Sequence, residues 1–393
     1  MIKIQWKKAL CLCLLVSFAW LATPANVAAV GNGSAIAYIR ANQGADGGFA
    51  EPGAGTDGLT TCRAMLAGSA LGERVADWRK NGEGTLKFLE SQAGTLNKLA
   101  DIELYALAIS EAGGDPQNLA GKNLVSLIQA SVSDNGRIGS NIMEHCMGLI
   151  ALAAAGEKIP SKSVSWLVEN QRADGGWGES DVVVVTDTAL AVEALVGLGQ
   201  AQDAATAPAM KLLRERMGAD GGFAGASKVS NVEQTATVVR SVYATGEDPG
   251  SGRWVFHENS PLSFLKSMQA TDGHYQYSRG VESQPVMTTS IAVPASAARH
   301  FPLRDATARD DTGMRDLGCS GASIVAGQEG VKEEETMPET GEPENDGNAS
   351  GMSVATGSIG EFWLFLVICA IYLLTLTAAA AIASKLWNSS GWR

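Results

Sequence analysis

Between about Ser34 and Arg304 the chain alternates two kinds of apolar pattern. Segments such as "SVSWLVENQ" and "PLSFLKSMQ" carry one apolar stripe at helical spacing, whereas "CMGLIALAAAG" and "TALAVEALVGLG" are apolar nearly all round. The first pattern predicts helices with one face in water, the second helices buried on every side. A turn sequence follows the one-stripe segments: "NQGADGGF" at 42–49, "NQRADGGW" at 170–177, "MGADGGF" at 217–223 and "MQATDGHY" at 268–275, with a weaker "SDNGRIG" from Ser133. Its aspartates, Asp46, Asp134, Asp174, Asp220 and Asp272, lie 88, 40, 46 and 52 residues apart. The first interval is double and hides a degenerate copy at Ser91-Gln92-Ala93-Gly94, which makes six copies with a period in the forties.

Glycines mark a second register. Gly72, Gly113, Gly156, Gly199 and Gly246 follow the all-apolar segments at spacings of 41, 43, 43 and 47 residues, where a helix ends on a left-handed glycine. Each repeat therefore predicts two helices. An open stack of six pairs would need polar caps at both ends, and none is visible, so the pattern predicts closure. The expected fold is all-α: a single α6/α6 toroid over 34–304, with the all-apolar helices inside and the one-stripe helices outside.

The ends of the chain read differently. Lys3, Lys7 and Lys8 precede an apolar run and small residues at Val27-Ala28-Ala29, which predicts a signal peptide over 1–29. Residues 305–360 include "VKEEETMPETGEPENDGNASGMS", too poor in large apolar residues to fold, and read as an acidic flexible stalk. Residues 362–383, "FWLFLVICAIYLLTLTAAAAIA", are uncharged and long enough to cross a bilayer as one helix. Lys385 and Arg393 in the tail, 384–393, place that tail in the cytoplasm. The expectation is a single-pass cell-membrane protein with its toroid outside the cell. The stretch Met337-Pro338-Glu339-Thr340-Gly341 resembles a sortase signal, but some twenty residues separate it from the apolar span, and chance is favoured.

Charge and cysteine narrow the partners. A formal charge of −12, with no cluster of Lys or Arg, argues against nucleic acid. Cys62, Cys146 and Cys319 are odd in number and lack framework spacing, so no disulfide scaffold is expected. Cys62 and Cys146 read as buried thiols.

The repeat carries a family resemblance. "SWLVENQRADGGWGES", Ser165 to Ser180, resembles the QW repeat of squalene-hopene and oxidosqualene cyclases. The stretch 34–304 resembles one toroid of the cyclase, protein-prenyltransferase and transcobalamin superfamily. The resemblance implies that Gln171 and Trp177 brace the outer helices.

Chemistry is expected on the inner ring. Twelve residues before each closing glycine stand Thr60, Asp101, Glu144, Asp187 and Gln234, and the sixth repeat offers Thr288. Equivalent positions on a closed ring point to one mouth, so these residues and His145 are the candidate ligand-binding set, with helix capping as the other reading. The cyclases' Asp-x-Asp-Asp box, set on Thr188-Ala189, falls on Val184-Val185-Thr186-Asp187. That leaves Asp187 as a weak catalytic candidate without a paired acid. Prenyltransferases imply a zinc site, for which Asp101, Glu103 and His145 are weak candidates, with Glu103 where the family has a thiolate. The sequence names no cofactor. The reading reached is a non-catalytic toroid that binds an apolar or amphiphilic ligand, isoprenoid or corrinoid, or a partner, at its bore. A terpenoid cyclase or prenyltransferase-like enzyme and a structural surface protein are the alternatives.

Overall fold

The computed structural model describes residues 31–178, 185–200, 203–225 and 228–303. The expected signal peptide, stalk, membrane span and tail lie outside the described residues. Among those described, no helix is long and apolar enough to cross a membrane.

Twelve α-helices stand among the described residues, in six successive pairs. The first members are α1 (Asn32–Ala41), α3 (Thr85–Gln92), α5 (Leu124–Ala130), α7 (Ser161–Glu169), α9 (Asp203–Arg216) and α11 (Pro261–Met268). They alternate with α2 (Gly58–Ala70), α4 (Leu99–Glu111), α6 (Ile142–Ala154), α8 (Val185–Gly197), α10 (Val232–Ala244) and α12 (Pro285–Ser296). Two antiparallel ribbons interrupt the helices: β1 (Arg79–Lys80) with β2 (Glu83–Gly84), and β3 (Phe223–Ala224) with β4 (Ser230–Asn231).

The second members form a ring. α2 packs on α4, α4 on α6, α6 on α8, α8 on α10, α10 on α12, and α12 returns to α2. Burial follows the two sequence patterns. Every residue of α4 from Ile102 to Glu111 is buried, whereas α7 buries only Ser163 and Leu167. A helix walled by neighbours on all sides has no face for polar residues, and a peripheral helix needs one apolar stripe. Cys62 and Cys146, both buried and free, sit in this wall as small hydrophobes.

The turn after α7 ties three helices together. Asp174 Oδ1 accepts the Gly176 N–H at 3.1 Å. Gly175 has φ 88°, and a Cβ there would stand 2.8 Å from the backbone of Pro208 in α9, so both the conformation and the contact demand glycine. The Gln171 side-chain amide donates to Gly175 O at 2.8 Å and across to Ala205 O of α9 at 2.7 Å. Trp177 is wholly buried and its indole N–H donates to Leu167 O at 2.8 Å. Its backbone N–H donates to Thr188 Oγ1 on α8 at 3.1 Å. The turn thus links its own outer helix, the next outer helix and the inner ring.

The seam between last and first repeats uses the same parts. Gln269 reaches Gly31 O at 3.0 Å at the start of α1. The N-terminus of α12 has no cap from its own preceding residue, Gln284. Glu51, from the first repeat, supplies one, accepting the N–H groups of Val286 and Met287 at 2.9 and 2.8 Å. A carboxylate on two orphan donors at a helix N-terminus satisfies hydrogen bonding and the helix dipole together.

Candidate ligand-binding site

The inner helices enclose a cavity of about 340 Å³. Its upper wall begins at the second residue of five of the six inner helices, with Leu59, Ala100, Met143, Thr186 and Glu233. One turn lower come Arg63, Leu104, Met147, Leu190, Thr237 and Ile291, and below them Leu66, Leu107, Arg240 and Pro294. The spacing of four, then three, is that of one face of a helix.

The far end is closed by the chain that follows α12. Phe301 lines the cavity. Its backbone N–H donates to Glu193 Oε1 at 2.8 Å, and Leu303 N–H donates to Glu111 Oε1 at 2.8 Å. Arg240 binds Glu193 through Nε at 3.0 Å and Nη2 at 3.2 Å, and its guanidinium lies 5.3 Å from the centre of the Phe301 ring. Glu193 and Arg240 are both buried, so this ion pair is hydrogen-bonded on both arms and serves to anchor the floor. The bore is therefore blind, with its mouth at the N-terminal ends of the inner helices.

The predicted site residues divide. Asp101, Glu144 and Gln234 line the cavity. Thr60, Asp187 and Thr288 are buried in the wall and do not line it. The helix caps are Asp57, Asn141 and Asn231, whose side chains accept from the N–H groups of Thr60, Glu144 and Gln234 at 2.9, 2.8 and 2.9 Å. Thr60, Asp101, Glu144, Asp187 and Gln234 are third in their helices and Thr288 is fourth, so none of them is an N-cap. Asp101, Glu144 and Asp187 do stand as acids in the first turn of their helices, where the dipole favours them. Val184 of the expected cyclase box lies outside the described residues. Thr186 donates to Gln234 Oε1 at 2.6 Å across the mouth.

His145 is corrected as well. It is wholly buried outside the cavity lining. Nδ1 accepts the Ile138 N–H at 2.9 Å, so the remaining ring nitrogen, Nε2, carries the proton and donates to Ser163 O at 3.0 Å. In four other repeats a threonine holds this place: Thr61, Thr188, Thr235 and Thr289 accept the N–H groups of Phe49, Trp177, Phe223 and Tyr275. His145 is therefore a spoke between turn and ring. Burial pulls its pKa down to about 4, against the Ser163 carbonyl that favours the charged form. The candidate zinc set accordingly loses a ligand, and among the described residues no group of three or more His, Cys, Asp or Glu side chains could hold a metal ion.

Glu103, expected only as a weak metal candidate, and residues outside the predicted set dominate the electrostatics. Glu103 has no solvent exposure and neither of its carboxyl oxygens has a hydrogen-bond partner. Burial, and secondly the Glu144 carboxylate, push its pKa up to about 9, which keeps it neutral near pH 7. Burial also raises Glu233, against the pull of Arg63. Glu103, Glu193, Arg63 and Arg240 share one sequence signal: each is a charged residue past the first turn of an inner helix, where charge is costly without a purpose.

The chain matches no protein-family model and no curated protein sequence. Solved structures do match. The type II terpene cyclase MstE from Scytonema, in its apo form, superposes with a TM-score of 0.50 at 14% identity, over 68% of this chain and 96% of that one. A protein from Actinoplanes superposes with a TM-score of 0.50 at 15% identity, over 68% and 98%. MstE in complex with geranylgeranyl dihydroxybenzoate gives 0.49 at 15%, over 68% and 95%. The likeness shows the fold. The described chain is a helical toroid of the kind found in terpene cyclases, and at such identities nothing more passes between the proteins.

Proposed function

We propose that the toroid binds one apolar or amphiphilic molecule of isoprenoid type inside its blind bore. The observation that carries this reading is the cavity itself. Its volume of about 340 Å³ falls within the range of small-ligand sites, its deeper walls are mainly apolar, with Arg240 there held on Glu193, and most of its polar side chains gather at the mouth. The isoprenoid is favoured over the corrinoid, whose broad rigid macrocycle exceeds such a cavity. We also propose, from the sequence pattern alone, that residues 362–383 tether the toroid to the outer face of a cell membrane.

Terpenoid cyclisation is the second reading, favoured by the fold likeness to MstE. Binding is common to both readings; turnover separates them. Protonating an isolated alkene needs a strong, activated acid, whereas Glu103, the bore acid held protonated, has a pKa of about 9 and donates reluctantly. The test is to incubate the full-length protein with farnesol and squalene, measuring bound ligand by native mass spectrometry and products by gas chromatography. Bound farnesol with no cyclised product supports the binding reading. Cyclised product moves the protein to the cyclases, and absence of any bound isoprenoid removes both readings in favour of a structural role.

A further inference from the structure

The two arginines of the bore differ in what they touch. Arg240 has both arms on Glu193 and its face on Phe301. Arg63, on α2, also lines the cavity, yet it makes no hydrogen bond, ion pair or ring contact with any described residue. Its electrostatic neighbours are Cys62 beside it on α2 and Glu233, Asp57 and Asp101 at the N-terminal ends of the inner helices, so the guanidinium sits one turn below the mouth. A guanidinium presents up to five donors in a planar fork, and that of Arg63, partly exposed on the cavity wall, has all of them open to a ligand. From this contrast, and resting on the bore as a binding site, we infer that Arg63 receives the anionic head of the ligand, and that this head is a carboxylate.

The surrounding charge selects among anions. Asp101, Glu144 and Glu233 line the same cavity, so a diphosphate would enter against several carboxylates. A carboxylate carries a single charge and matches the guanidinium fork with two coplanar oxygens. Glu103, held neutral, adds a donor to the wall and no repulsion. Below Arg63 the bore offers Leu66, Leu107, Pro294 and the Phe301 floor to an apolar tail. The ligand class is thus an isoprenoid or similar aliphatic carboxylic acid, head at the mouth and tail toward the floor.

The test uses full-length protein in detergent, with farnesoic acid, farnesol and farnesyl diphosphate as probes in titration calorimetry. Farnesoic acid is expected to bind about tenfold or more tighter than farnesol, the worth of one charge-assisted contact. Arg63→Gln should abolish that preference, bringing farnesoic acid and farnesol to equal affinity, and Arg63→Lys should keep part of it. Equal binding of farnesoic acid and farnesol by the wild type overturns the inference without touching the bore reading. Tighter binding of the diphosphate overturns the carboxylate assignment. If none of the three binds, the bore reading falls and the inference with it. The wild-type comparison decides even where a variant folds poorly.

Discussion

Replacing Glu103 by Gln should change how the toroid's stability responds to pH. In the folded chain this carboxyl keeps its proton up to about pH 9, whereas an exposed carboxyl releases it near 4.5. Between those values the unfolded state binds fewer protons than the folded state, so stability declines as pH rises, by about 1.4 kcal/mol per pH unit. The contribution is complete below about 4.5 and lost progressively toward 9. From pH 5 to pH 8 the integrated loss is on the order of 4 kcal/mol, and entry of water into the bore lowers it. Gln has the shape of the neutral acid and does not titrate, and both leave buried polar atoms unsatisfied at a cost of about 1–3 kcal/mol. The two proteins should therefore be of similar stability at pH 5, and the Gln variant should be more stable at pH 8, by roughly 2–4 kcal/mol. Urea unfolding followed by far-ultraviolet circular dichroism, at one-unit steps from pH 5 to 8, measures the difference. A difference between the proteins that stays constant across those steps would refute the reasoning, because it would mean that Glu103 is ionised and solvated in the folded chain.

His145 acts in the opposite sense: held neutral with a pKa of about 4 against an ordinary 6.5, its contribution is complete above 6.5 and lost as pH falls toward 4. His145→Thr should remove that acid limb and leave a foldable spoke, so wild type and variant should diverge by about 1.4 kcal/mol per unit below pH 6.5 in the same urea assay. Trp177→Ala should destabilise the domain by about 3–5 kcal/mol, since the ring is wholly buried and its N–H is bonded; a melt like that of wild type would remove the bracing role. Glu51→Ala should cost about 1–2 kcal/mol by uncapping α12 at the seam, and hydrogen exchange should rise first at the N–H groups of Val286 and Met287. Protection unchanged at those two amides would show that the seam closes without Glu51.

The alternation of helix types was legible because it follows from geometry alone: a helix inside a ring of helices has no face for water, as α4 shows, and one outside it has such a face, as α7 shows. The turn was legible because Gly175 must be glycine, both for its φ of 88° and for its contact with Pro208. Charge in the bore was on the page too, as Arg63, Glu103, Glu193 and Arg240 in helices with almost no other charge, but a pattern read for its apolar positions passes over them. What local sequence does not encode is which chain segment closes a cavity: the Phe301 floor depends on Glu193 and Glu111 lying beneath it, contacts that span 108 and 192 residues.

The mouth shows how finely such a reading depends on register. Counting back twelve from the closing glycine gave Thr60, Glu144 and Gln234, and the caps Asp57, Asn141 and Asn231 stand fifteen back. Successive residues on a helix differ by about 100° in direction, so a shift of one separates lining Leu59 from buried Thr60 and lining Thr186 from buried Asp187, while Asp101, Glu144 and Gln234 at the same count still line the cavity. Thr60, at N3 of α2, is buried between helices, while Leu59 before it and Arg63 one turn after Leu59 face the cavity. The count selected Thr60, and its polar type agreed with the polar rim expected. In the structure the rim position of the same helix is a leucine, and the group able to recognise a charged ligand lies one turn deeper, where desolvation by the surrounding helices strengthens every contact it makes. A recognition charge placed inside the bore discriminates between head groups more sharply than one at the solvent edge, and that is the physical advantage of Arg63 over the carboxylates above it.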